Sequence, residues 1–288
     1  MFSPKSTLAG LVLMSTVVGA HAAEWSDTSI SWRYGKDFAE PYVGSGISKN
    51  IIGFTHSSGY KYGTNYLNLD LLMANDKDPL GTNSSSGSQE AYLVYRHTLD
   101  IGKVIVKPDA LKFGPVRGLG LTGGFDWNSK NDAGYNSRKR MLVAGPTVMF
   151  DVPGFLNASV LQLWESNAPY NKYTSTQTER YSYDPHPMLS LAWGIPFNVG
   201  PVPLSFEGFA NYIAAKGKNE FGGATRPETD IDMQIMYDLG KPLGAGANTF
   251  KVGLEYQYWH NKFGNYNETD PAKGSTARTP MVRAEYHF

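Results

Sequence analysis

The chain has no cysteine. That excludes thiol catalysis, thiolate metal sites and disulfide staples. Charge of one sign is not in excess either, since 26 basic side chains stand against 26 acidic ones. Lys5 is the only charged residue before residue 23, so residues 23–288 carry 25 basic and 26 acidic groups. A nucleic-acid-binding footprint would be strongly basic, and that class of partner is set aside. Long apolar runs are missing too. Past the first 22 residues no stretch approaches the ~18 apolar residues that a membrane helix needs. A membrane protein with this sequence must be a closed barrel, because only helices and barrels satisfy their backbones in lipid. The mean hydropathy of −0.35 suits a barrel, in which half of each strand faces water.

Catalytic motifs are also absent. No histidine lies in a G-x-S-x-G or H-E-x-x-H context. His97 and His260 fall on apolar phases, His56 lies near a hairpin, His186 at a loop edge and His287 on a polar phase. The expectation is a protein that is not an enzyme. The acidic pairs Asp76/Asp78 and Asp230/Asp232 lack calcium-loop spacing, so no metal or cofactor is expected.

What is present begins with a leader. Lys5 supplies a positive start, residues 8–19 are apolar and uncharged, and Ala20-His21-Ala22 is an A-x-A cleavage site. These features predict a secretory signal peptide over 1–22, cut after Ala22 or Ala23. Residues 23–288 are then one domain.

That domain alternates in segments of about ten residues separated by Gly, Asn, Asp, Ser and Pro clusters. The last segment shows the pattern. Val282, Ala284, Tyr286 and Phe288 share one face, and Arg283, Glu285 and His287 the other. Strands are predicted at 25–35, 49–57, 62–74, 89–99, 116–128, 138–150, 155–165, 186–196, 203–214, 228–239, 248–260 and 278–288. Twelve is even, as single-chain bacterial barrels require. Residues 36–48 and 166–185 are hard to place, and 155–165 is ambiguous in phase. The polar connections 75–88, 129–137, 166–185, 214–227 and 261–277 read as extracellular loops. Tight turns at 151–154 and 198–202 read as periplasmic, and 100–116 as a longer connection with room for a small helix. The fold class is therefore all-β: a transmembrane antiparallel β-barrel of 12 strands in the bacterial outer membrane, surrounded by lipid and monomeric.

The polar phase would line a lumen. It carries Arg33, Arg96, Arg138, Arg140, Lys251 and Arg283 against Asp70, Glu90, Asp126, Glu207, Asp230, Asp232, Glu255 and Glu285. Such charges either stiffen a filled barrel or form a ladder for polar solutes, and twelve strands lie between filled and freely aqueous barrels. Aromatics join them: Tyr66, Tyr92, Phe209 and Trp259, with Tyr62 beside them. Rings in a lumen either constrict it or stack on a planar base. The candidate solute-binding set is Tyr62, Tyr66, Tyr92, Phe209, Trp259, Arg96, Arg140, Asp230, Asp232, Glu255, Arg283 and Glu285.

Several stretches sharpen this reading. Trp25-Ser-Asp27, Ser48-Lys-Asn-Ile51, Phe54-Thr-His56, Tyr60-Lys-Tyr-Gly-Thr-Asn65 and Leu69-Asp-Leu-Leu-Met73 belong together with Arg138-Lys-Arg-Met-Leu-Val-Ala-Gly-Pro146, Asp151-Val-Pro-Gly154, Ala192-Trp-Gly-Ile-Pro-Phe197, Tyr258-Trp-His260 and Glu285-Tyr-His-Phe288. In these the chain resembles the nucleoside-specific channel-forming outer-membrane proteins of the Tsx/OmpK type. The resemblance runs over nearly all of 23–288. It implies a twelve-stranded barrel that passes nucleosides by diffusion, with phage or colicin using the loops of some members. The competing expectation is a structural or receptor barrel with a closed lumen.

Overall fold

The computed structural model describes residues 23–171, 174–266 and 274–288. The expected signal peptide lies outside them. Twelve long strands follow one another: β1 (Trp25–Glu40), β2 (Gly44–Tyr60), β3 (Gly63–Ala74), β4 (Gln89–Asp100), β5 (Val116–Lys130) and β6 (Arg140–Phe150), then β7 (Phe155–Asn167), β8 (His186–Val199), β9 (Val202–Ile213), β10 (Glu228–Asp238), β11 (Phe250–His260) and β12 (Thr276–His287). Each pairs antiparallel with the next, and β12 returns to β1 from Ser29↔His287 to Gly35↔Met281. The ring is closed, so no long edge is left unpaired. A single helical turn, Ile101–Val104, occupies the connection where a small helix is expected, and the Asp100 side chain accepts a hydrogen bond from the Lys103 N–H at 3.2 Å.

The burial pattern is inverted relative to a soluble sandwich. On β1, Ser29, Ser31 and Arg33 are buried, while Ile30 and Trp32 are 49% and 43% exposed. Leu142, Val160, Leu189, Ile235 and Leu254 also lie on the outside. Period-two alternation puts polar groups inward and this apolar belt outward, where lipid is the solvent. Fold and belt together place the chain in a bacterial outer membrane. Trp25 and His287 lie at the end that carries the tight connections 61–62, 151–154 and 200–201, and tight turns mark the periplasmic end of outer-membrane barrels. At 151–154 the turn needs the left-handed backbone of Gly154, φ +76°, which a side chain would strain.

Two segments run differently from the alternation. In β1 the register with β2 shifts between Gly35 and Phe38 and again before Glu40. Each bulge changes which parity faces inward, so Phe38 is buried although Arg33 is too. This is why 36–48 shows no readable period, and why β1 and β2 extend beyond 25–35 and 49–57. In β6 and β7 both faces are apolar. Val143, Leu161 and Leu163 form a core inside the barrel with Met188, while Leu142, Val160 and Trp164 face out. A second internal core joins Phe38, Ile47, Ile51 and Met281.

Candidate functional site

The lumen has two differently built halves. The periplasmic half is lined along its wall. Arg33 on β1 reaches over β2 to ion-pair with Asp70 on β3, and lies 3.4 Å from Glu255 on β11. Arg283 on β12 meets Glu255 at 2.7 Å and also pairs with Glu285. His287 lies 2.9 Å from Asp27 and 3.3 Å from Glu285. Arg96 bonds Asp126 on the adjacent strand at 2.5 Å. A hydroxyl ladder crosses four strands: Thr98 to Thr122 at 2.8 Å, Thr122 to Thr147 at 2.5 Å and Thr147 to Ser159 at 2.8 Å. Gly53 makes the Arg33 crossing possible. A Cβ there would collide with the Ser31 hydroxyl and stand 3.1 Å from Asp70 Oδ1. All these partners join strands that are adjacent or next but one around the ring. Tyr66 points inward, pairing with Ser57 and Arg96, and is still 41% exposed. An inward ring can be that exposed only if the lumen beside it is hollow.

The extracellular half is filled, and lysine supplies its cations. Glu165 on β7 bonds Lys139 at 2.7 Å and Lys216 at 2.8 Å. Glu40 pairs with Lys49 and stands 3.0 Å from Lys262 and 3.5 Å from Lys130. Lys130 also holds Asp78 at 2.8 Å and Asp132 at 3.1 Å. Burial pushes the Lys216 and Lys262 ammoniums below the usual lysine range, against the pull of Glu165 and Glu40. The same burial, with the nearby Glu220 charge, holds the Tyr135 phenol well above its usual value. Tyr135 therefore keeps its proton and donates a hydrogen bond to Glu220, while its oxygen accepts one from Asn167 at 2.9 Å.

Loops from opposite sides of the ring meet above this network. Lys139, between β5 and β6, lies 4.0 Å from the ring centre of Phe263, between β11 and β12. Those hairpins are six strands apart, so the contact spans the mouth. Tyr42, Tyr135 and Phe221 come from the β1–β2, β5–β6 and β9–β10 connections, spaced four strands apart. Their centroids lie 5.3 Å, 6.0 Å and 6.2 Å from one another. Three evenly spaced loops thus join in one aromatic cluster over the lumen. Sequence reading missed this lid. Its local signal is an aromatic in each of three connections, 41–43, 131–139 and 214–227.

Most of the candidate solute-binding residues face inward: Tyr66, Tyr92, Phe209, Trp259, Arg96, Asp230, Asp232, Glu255, Arg283 and Glu285. Two do not. Arg140 pairs with Trp127 and Ser166 on the outward face and is exposed, and Arg138 beside it is exposed as well. Lys139, between them, is the cation that turns inward. The phase was unreadable there because both faces of β6 are apolar. Tyr62 sits in the periplasmic turn, edge-on to Tyr60 at 6.2 Å. Tyr60 in turn lies against His97 on the outward face, so Tyr62 belongs to the outer rim.

The inward set divides by height. Arg33, Tyr66, Arg96 and Arg283 line the hollow half. Phe209, Asp230, Asp232 and Trp259 lie just under the lid. Trp259 is engaged there already: its N–H donates to Glu228 at 2.5 Å, Phe263 meets it edge-on at 5.0 Å, and Lys262 lies 4.4 Å over its ring. Beside it, Asp230 Oδ1 and Asn211 Oδ1 are buried without a hydrogen-bond partner among the described residues. They occupy paired positions on adjacent strands. Phe209 pairs with Asp232 one step below. This shelf sets polar oxygens beside aromatic rings.

The fold has known counterparts. An outer-membrane channel from Pseudomonas putida F1 is similar over 94% of this chain and 98% of its own, with a TM-score of 0.50 and 12% identity. The translocator domain of the autotransporter NalP from Neisseria meningitidis covers 91% of this chain and 88% of its own, with a TM-score of 0.48 and 10% identity. The KdgM porin covers 90% of this chain and 99% of its own, with a TM-score of 0.41 and 12% identity. The Pseudomonas putida channel shares the barrel architecture. No protein-family model and no curated protein matches the sequence.

Proposed function

We propose that the barrel is an outer-membrane channel for passive diffusion of small polar solutes, with nucleosides as the preferred class. The observation that carries this is the hollow periplasmic half, with Tyr66 exposed inside it, leading to a shelf with unpartnered acceptors at Asp230 and Asn211. A nucleoside matches both features. Its sugar hydroxyls and base amine are donors for those oxygens. Its planar base can stack on Tyr92, Phe209 or Tyr66, and stacking contributes roughly 1–3 kcal/mol per base in known sites. Weak binding at successive sites, with release to the far side, needs no energy source.

A second reading has its own support. The aromatic lid and the lysine network cover the extracellular mouth, as a receptor barrel with a closed lumen would require, and phage or colicin would then use the loops. Planar-bilayer recording with and without adenosine separates the two. The channel reading expects a small current that adenosine blocks. Tyr92→Ala and Trp259→Ala should each weaken that block several-fold while the folded barrel persists. Absence of current, or a current that adenosine never touches, decides for the receptor.

A further inference from the structure

The outward arginines at the top of β6 are unlike every arginine in the lumen. Arg33, Arg96 and Arg283 each hold a carboxylate. Among the described residues, Arg138, Arg140 and Arg180 hold none. Yet the three are brought together by structure. Arg180 Nη1 donates to the Arg138 carbonyl at 3.0 Å and to Ser166 Oγ at 3.1 Å. Ser166 is also the cross-strand partner of Arg140. Arg180 thus lies against the outer wall at the top of β7, next to two exposed like charges. Partial burial, with repulsion from Arg140 and Arg138, lowers its proton affinity. Like charges held together without a partner are destabilising unless an anion joins them.

Height decides which anion. Two residue pairs below Arg140 and Ser166, the next pair on the outward face is Leu142 and Trp164, 60% and 47% exposed on the lipid-facing wall. Trp127 lies beside Arg140 on β5. Apolar residues with tryptophan mark the boundary between hydrocarbon and head groups. The cluster therefore sits at the head-group level of the extracellular leaflet. Guanidiniums match phosphate oxygens with paired, charge-assisted hydrogen bonds.

We propose that Arg138, Arg140 and Arg180 form a site on the outer wall that binds the phosphate groups of a phosphorylated glycolipid in the outer leaflet. The lipid chains would lie along Leu142 and Trp164 and the phosphate between the guanidiniums. Nothing in this site touches the lumen, so it stands apart from the channel reading.

The test uses the purified full-length barrel in detergent, with bisphosphorylated lipid A as the probe and binding followed by native mass spectrometry. Arg140→Gln/Arg180→Gln should bind lipid A at least ten-fold more weakly than the parent. Heat-modifiable gel mobility checks that the variant is folded. Equal binding by parent and folded double variant overturns the site. A second measurement needs no variant: lipid A stripped of both phosphates should bind the parent at least ten-fold more weakly, and equal binding also overturns it. Inorganic phosphate at millimolar concentration should leave lipid A bound. Displacement by it would show a free-anion site and refute the glycolipid assignment, and so would phosphatidylglycerol binding as tightly as lipid A.

Discussion

The two halves of the lumen use the same chemistry to opposite ends. In the periplasmic half, arginines bridge strands that are close around the ring and keep near the wall. In the extracellular half, lysines bond loops to strands from both sides and fill the space. Arginine's rigid fork can serve two carboxylates along a wall. Lysine's flexible stem carries one compact charge into a gap and covers rings with its methylenes. The exposures differ most at the extremes, with 20% for the Arg96 side chain and 1% for Lys216, and overlap between Arg33 at 9% and Lys139 at 11%. Charge pairing is therefore not by itself a sign of a filled barrel. What matters is whether the pairs run along the wall or across the opening.

The difference has measurable consequences. The largest is at Glu165. Its removal leaves Lys139 and Lys216 buried together without their anion, and breaking a buried pair in this way costs about 3–5 kcal/mol. Glu165→Gln should lower the midpoint of denaturant unfolding accordingly; a loss under ~1 kcal/mol would mean that the upper half is wetter than its burial indicates. Next come the lid aromatics. Tyr42→Ala/Phe221→Ala removes two of three rings that meet over the mouth, and single-channel conductance should rise several-fold with little change in stability. An unchanged conductance would place the resistance lower in the lumen. The smallest effect is expected at Arg96, whose pair is partly solvated. Arg96→Gln should cost about 1 kcal/mol or less and shift the reversal potential in a salt gradient toward cations. A larger loss of stability would put that pair in the same class as the buried lysines.

Much of this architecture was legible in the chain. The faces of β1, β3, β4, β5, β10 and β11 follow the alternation because each faces lipid on one side and polar lumen on the other. Illegibility had physical causes at identifiable residues. At Leu161 and Leu163 the lumen face is itself apolar, so two apolar faces cancel the period. The assignment of Arg140 to the lumen failed for the same reason, one strand away. At Gly35 to Glu40 bulges reset the parity. The lid depends on contacts between Tyr42, Tyr135 and Phe221, far apart in the chain and flanked by nothing periodic. The inward rings were legible as inward, but their neighbours were not. Only the structure shows that Trp259 is already held by Glu228, Lys262 and Phe263, while Tyr66 stands free.

The seam between first and last strands carries a consequence for how the protein is made. Asp27 and His287, 260 residues apart, and Arg33 and Glu255, 222 apart, meet only once β12 has found β1. Contacts of such separation form slowly, because the chain between them must be ordered before they repay it. Until then the charges that clasp the seam lie apart on the concave face of an open sheet with two unpaired rims. Assembly should therefore be late and abrupt: a nascent barrel stays protease-sensitive until its final strand docks, and then becomes resistant along its whole length at once.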